Sequence, residues 1–121
     1  MENLDIGKIK EKLRQIALER EWDQFHTPKN LAISLSLESS ELLEIFQWLN
    51  DEQVKSLKDN PKLLSKIQEE ISDVLYYLLR LSDILNIDVE KCFWEKLALS
   101  EKKYPVALSK GNSKKYTELQ H

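Results

Sequence analysis

Apolar residues recur at steps of three and four along almost the whole chain. Ile6, Ile9, Leu13, Ile16 and Ala17 form one stripe, and Leu31, Leu35, Leu42, Ile45 and Leu49 a second. Leu63, Ile67, Val74, Tyr77, Leu81 and Ile84 form a third. A period near 3.6 marks an amphipathic helix, and no segment shows the two-residue alternation of a half-buried strand. Only 2 glycines and 3 prolines occur in 121 residues, too few for a turn-rich β protein or a Gly-rich phosphate loop. The chain is therefore expected to be all-α.

Punctuation divides the stripes. Thr27-Pro28 and Asn60-Pro61 each set a capping side chain before a proline at the first helical position. Helices are predicted over about 6–20, 28–50 and 62–85, and over 89–103 behind Asp88 as N-cap, with Pro105 stopping the last. Asp51 to Asp59 suits a short acidic helix or turn. The run Val74–Leu79 is apolar or aromatic on all sides, which makes the third long helix the expected centre of the core. Four helices with short connections predict an antiparallel four-helix bundle. It forms a single domain over 1–121, with the lysine-rich stretch 106–121 as a polar tail or arm.

Composition narrows the functional classes. A charged fraction of 32 % and a net charge of −3 describe an ordinary globular chain, and the mild acidity weighs against a nucleic acid polymer as partner. One cysteine, Cys92, excludes a disulfide framework, and His26 and His121 cannot build a multi-histidine metal centre. No apolar run approaches the ~18 residues of a membrane span. The charged, amphipathic first residues carry no cleavage signal, so no membrane and a cytoplasmic location are expected.

Two helices break their own apolar pattern in the same way. Glu38 interrupts the second stripe with Glu41 three positions on, and Glu70 interrupts the third with Asp73 three positions on. Residues i and i+3 lie side by side on a helix, with Cβ atoms roughly 5–6 Å apart. Each pair thus presents two carboxylates toward the bundle interior. A buried ionised carboxylate is prohibitive unless paired or bound to a metal. The group can protonate, find Lys or Arg partners, bind a cation, or lie on a solvated face. Hard oxygen donors without nitrogen or sulfur suit Mg²⁺, Mn²⁺ or Ca²⁺. Di-iron chemistry would need Glu-x-x-His on two helices, and no histidine lies on these. Read from their positions alone, Trp48 and Tyr77 are core aromatics, and Trp22, in a connector, is divided between packing and recognition. Lys96 and Lys103 are solvated helix charges, and Cys92 and Trp94 belong to the core or a subunit contact.

Glu38-x-x-Glu41, 28 residues, then Glu70-x-x-Asp73 resembles the metal-binding signature of the MazG-like all-α nucleoside triphosphate pyrophosphohydrolases, in particular their dCTP-pyrophosphatase-type branch. The likeness covers most of the chain. It takes in residues 19–31, with Trp22-Asp23-Gln24-Phe25-His26 and Pro28-Lys29-Asn30-Leu31, then Phe46-Gln47-Trp48, Gln68–Asp73 and Tyr77-Leu78. It continues through Lys103-Tyr104-Pro105-Val106, Leu108–Gly111 and Lys115-Tyr116-Thr117.

The resemblance implies hydrolysis of a nucleoside triphosphate, such as dCTP, to the monophosphate and pyrophosphate with Mg²⁺, or Mn²⁺ in its place. This would be house-cleaning of the nucleotide pool by a homodimer or a dimer of dimers. It implies Glu38, Glu41, Glu70 and Asp73 as catalytic metal ligands, with Glu69 or Glu44 as a further carboxylate orienting water. It implies Trp22, Trp48 and Tyr77 around base and sugar, and Lys96, joined by Lys103, at the phosphates. Ser100 and Glu101 stand where many members carry Asn and a basic residue, and Leu13 stands where the dCTP-type branch has a histidine near the base. The competing expectation is a non-catalytic helical module that binds nucleotides or a protein, its acids kept for structure.

Overall fold

The structure is a computed structural model and describes residues 3–118. His121 lies outside the described residues. The regular structure is helical throughout the described residues, as the apolar period requires. It falls into two compact units, Met1–Ile87 and Asp88–His121.

The first unit contains α1 (Ile6–Glu19), α2 (Pro28–Phe46), the short α3 (Asp51–Lys55) with a 3-10 turn at Leu57–Asp59, and α4 (Pro61–Ile84). The second contains α5 (Val89–Lys103), α6 (Val106–Ser109) and a 3-10 turn at Tyr116–Glu118. The stretch after Pro105 is therefore partly helical.

Side-chain caps set the helix starts. Asp5, Thr27, Asn60 and Asp88 accept from the backbone N–H groups of Lys8, Asn30, Leu63 and Lys91, at 3.0–3.2 Å. Asn50 and Gln53 form a reciprocal capping box at the start of α3. That box explains why α2 stops four residues before the predicted end. The apolar period runs on through the half-buried Leu49, but Leu49 N–H turns back to the Phe46 carbonyl at 3.0 Å, and Asn50 already opens α3.

Two helices end in the same Schellman geometry. After α1, Trp22 N–H bonds the Ala17 carbonyl at 2.8 Å and Glu21 N–H bonds Leu18 at 3.2 Å. After α4, Ile87 N–H bonds Ser82 at 2.8 Å and Asn86 N–H bonds Asp83 at 3.0 Å. The pivot residues are Asn86 and Glu21, both at φ 56°. Asn tolerates this left-handed conformation; a glutamate there is strained.

Within the first unit α4 is the central element, packed most extensively on α2 and also on α1. Among the described residues Leu13 and Ala17 of α1, Leu31 of α2, and Ile67 and Leu79 of α4 are the buried apolar side chains, with Leu31 and Leu79 fully enclosed. Each large one contributes on the order of 1.5–3 kcal/mol by burial. The apolar girth of α4 does not translate into burial on every side, since Ile71 and Leu78 remain exposed. Leu13 is a core residue, which accounts for an apolar side chain at that position.

Replacing Glu21 with glycine should relieve the left-handed strain. The Glu21→Gly variant is expected to gain about 0.5–1 kcal/mol in urea unfolding, with the slope unchanged.

Candidate functional site

The two acidic pairs lie on the elements that pack most closely, α2 and α4. Glu38 falls on the inward stripe of α2 because it is seven residues beyond the fully buried Leu31, two helical turns along the same face. Glu70 falls three residues beyond the buried Ile67 of α4. Carboxylate oxygens of Glu38, Glu41 and Glu70 all lie within 4.8 Å of one another. Glu38 and Glu70 are half-buried and Glu41 is exposed. Asp73, the fourth predicted member, lies outside this three-residue group, yet its charge acts on both Glu38 and Glu70.

Among the described residues no ion pair to Glu38, Glu41 or Glu70 is formed by the side chains of the neighbouring turns. Glu38 Oε2 and Glu70 Oε2 are buried from solvent and have no hydrogen-bond partner. The nearby serines turn away: Ser39, Ser40 and Ser72 each donate to the carbonyl four residues back, Leu35, Ser36 and Gln68, at 2.8–3.0 Å. Desolvation, followed by the hydrogen bonds and charges of Glu41, Glu70 and Asp73, pushes the Glu38 carboxyl up from 4.5 to about 7. Glu70 is also raised, by desolvation first, with its hydrogen bond to Glu38 acting in the opposite direction. Two buried oxygens without partners, inside an all-oxygen donor set, fit a hard divalent cation.

The predicted aromatic residues take different places. Tyr77 is half-buried on α4, edge-on to Tyr76 at 5.1 Å, and its phenol is raised by desolvation and by the charges of Glu38, Tyr76, Asp73 and Glu41. It thus borders the acidic group. Trp22 is 40 % exposed in the α1–α2 connector, with the His26 ring 6.0 Å away and the Arg20 guanidinium 5.7 Å from its centroid. Trp48 is 85 % exposed, so the core expectation for it is wrong: α2 ends at Phe46 and leaves Trp48 on the turn. Lys96 and Lys103 belong to α5 in the second unit, with Lys103 in its last turn, where a cation suits the helix dipole. Cys92 and Trp94 on α5 are also exposed, and so are not core residues. Ser100 is half-buried and Glu101 exposed on the same helix.

One charged group escaped the sequence reading. Arg80 is 3 % exposed, inside the apolar half of α4. Its Nη2 donates to Asp23 Oδ1 at 2.6 Å and its Nε to His26 Nδ1 at 3.0 Å. Asp83 Oδ2 lies 3.6 Å from its Nη1 and accepts from Arg14 Nε at 2.8 Å. Because Nδ1 accepts, His26 is the neutral tautomer protonated at Nε2. Burial, then Arg80, lower its pKa against the opposing charge of Asp23. The available signal was a lone cation in a run of leucines, Leu78-Leu79-Arg80-Leu81.

Comparison with known proteins adds an independent line. Residues 33–119 match the MazG-like family. The dCTP pyrophosphatase 1 of Homo sapiens is 39 % identical over 107 residues, covering 88 % of this chain and 63 % of that protein. That of Mus musculus is 41 % identical over 105 residues, covering 87 % and 62 %. The chain thus spans less than two thirds of the length of these curated relatives. A crystal structure of a pyrophosphatase from Archaeoglobus fulgidus superposes with a TM-score of 0.75 at 39 % identity, covering 87 % of this chain and 96 % of that one.

The raised Glu38 pKa has a defined sign. The folded state holds that proton more tightly than the unfolded chain, so the stability it contributes is full below pH 4.5 and is lost as pH rises through about 7. In EDTA, wild-type melting temperature should fall over this window relative to a Glu38→Gln variant, which lacks the titration. Added Mg²⁺ should raise the wild-type melting temperature more at pH 8 than at pH 5, because binding competes with protons. Parallel wild-type and variant profiles would refute the assignment.

Proposed function

The chain belongs to the MazG-like family, and from that premise we propose that it hydrolyses a nucleoside triphosphate to the monophosphate and pyrophosphate with a divalent cation. Three glutamates with mutually close oxygens, two of which, Glu38 Oε2 and Glu70 Oε2, are buried without a partner, carry this reading. The names of the relatives point to dCTP or a similar deoxynucleotide as substrate.

Glu38, Glu41 and Glu70 would hold the cation, Mg²⁺ or Mn²⁺, with Asp73 completing the set. When bound, such an ion neutralises phosphate charge and lowers the pKa of water, supplying a nucleophile at neutral pH. The chain's own part is electrostatic. The Glu38 carboxyl, raised to about 7, titrates near neutral pH, so a cation would compete there with a proton. Tyr77, whose phenol is pushed above its ordinary value by burial and the nearby acids, offers an O–H donor beside them. Trp48 is largely exposed and Trp22 partly so, with the Arg20 guanidinium over its ring, and both leave indole surface on which a base can stack. Lys96 and Lys103 are assigned to the phosphates by the resemblance.

Self-association belongs to the same proposal. The outward side of α2 exposes Ile33, Leu37 and Leu43, and α4 exposes Ile71 and Leu78. Apolar side chains repeated in this way suit a second copy. The resemblance also implies a single domain and a four-helix bundle, and both belong to this proposal. No helix among the described residues is long and apolar enough to cross a membrane. The exposed, free thiol of Cys92 suits a reducing, cytoplasmic setting.

Purified protein offered each common NTP and dNTP with Mg²⁺ should release monophosphate and pyrophosphate, resolved by ion-exchange chromatography. Glu41→Gln should lower turnover more than ~100-fold, beyond the usual effect of losing a residue that only supports a ligand. Diphosphate plus phosphate would overturn the reaction assigned, and no product at all would favour a binding module. Light scattering should give a mass of two or more chains, and Leu37→Glu should reduce it.

A further inference from the structure

Glu70, Asp73, Tyr77 and Arg80 follow one another on α4 at i, i+3, i+7 and i+10, which places them on one face of the helix. The rise from Asp73 to Arg80 is about 10 Å. One end of this face carries acids without partners. The other carries a buried guanidinium whose partners come mostly from outside its helix. Two of those partners, Asp23 and His26, belong to the short α1–α2 connector. We infer that Arg80 is a positioning residue: it clamps this connector from beneath and holds Trp22 and His26 as a preformed aromatic platform for the nucleoside end of the substrate.

The connector is fixed at several points around the partly exposed indole, over which the Arg20 guanidinium lies at 5.7 Å. The Schellman turn sets its entry, with Trp22 N–H on the Ala17 carbonyl. Phe25 and His26 N–H both return to the Trp22 carbonyl, at 2.8 and 3.1 Å. Asn30 Nδ2 ties the Phe25 carbonyl at 3.0 Å. Among the described residues Arg80 supplies the side-chain bonds that join the connector to α4. Trp22 is nevertheless left 40 % exposed and Phe25 60 % exposed. A connector needed only to join two helices would bury these rings or do without them. Held rigid and open, they suit a flat, heteroaromatic ligand, since ordering an aromatic contact in advance removes its entropy cost on binding. The clamp also fixes the His26 tautomer, leaving Nε2–H as a donor next to the indole.

This inference rests on the proposed hydrolysis of a nucleoside triphosphate, and the test separates the two. Steady-state kinetics would be run on wild type, Arg80→Gln, Arg80→Lys and Asp23→Asn, with titrations of nucleoside monophosphate and of pyrophosphate as inhibitors. Asp23 is 57 % exposed at its side chain, so Asp23→Asn keeps the test alive if Arg80→Gln does not fold. The clamp predicts KM and monophosphate inhibition constants weaker by about tenfold in Asp23→Asn and Arg80→Gln. Turnover at saturation, pyrophosphate inhibition and the Mg²⁺-induced melting shift should stay near wild type. Arg80→Lys, which keeps the charge but not the fork, should fall between. Unchanged KM in a folded variant overturns the clamp while leaving the hydrolase standing. Equal loss of monophosphate and pyrophosphate binding also overturns it, since the effect would then be general. A wild-type protein that neither turns over nor binds any nucleotide overturns the reaction, and the platform with it.

Discussion

The mutual repulsion of Glu38, Glu41 and Glu70 acts at the seam between α2 and α4, where the larger unit packs most extensively. Apolar side chains at positions 38 and 70 would continue stripes that already bury Leu31 and Ile67. The chain instead removes two carboxylate oxygens from water and gives them no donor. The destabilisation is tolerated because stabilisation is concentrated elsewhere: side-chain caps at every long helix start, Schellman closures after α1 and α4, and a compact core at Leu13, Ala17, Leu31 and Leu79. A site that opposes its own fold in this way is one that a ligand can relieve.

The same helix carries the opposite solution at Arg80. That charge is buried more completely than any of the acids, yet it is surrounded by two carboxylates and a neutral imidazole, and Asp83 is itself shared with Arg14. A satisfied buried charge organises its neighbours; an unsatisfied one waits for something absent. The contrast separates the two ends of the α4 face by role. The acids offer oxygen donors, and the guanidinium fixes geometry.

Much of this was legible in the amino-acid sequence, for physical reasons. Proline at N1 behind Thr27 or Asn60 is a local signal, and local signals survive folding. Glu38 and Glu70 stood out because a charge on an otherwise apolar stripe contradicts its surroundings. The end of α2 was misread because apolar periodicity alone does not stop at Phe46; the stop is a turn and a capping box that compete with it. Trp48 was misplaced in consequence, since beyond the helix its side chain no longer follows the stripe. Arg80 was missed for a different reason. On a helix apolar nearly all round, a single cation can be read as its one wet position. Only its partners, 54 and 57 residues away in sequence, reveal that it is buried.

Under the proposed function, those long-range partners would let one helix serve both ends of a nucleotide. An acidic cluster by itself attracts cations and repels phosphates and offers nothing to a base. A rigid aromatic connector by itself binds flat rings without regard to what they carry. With both anchored to one face of α4, separated by two helical turns, a ligand must present phosphates and base at a matching spacing to satisfy both. The helix then acts as a ruler. Under the proposed reaction, a preference for nucleotides over free phosphates or free bases would follow from the rise of about 10 Å between Asp73 and Arg80, which is set by the helix rather than by any one contact.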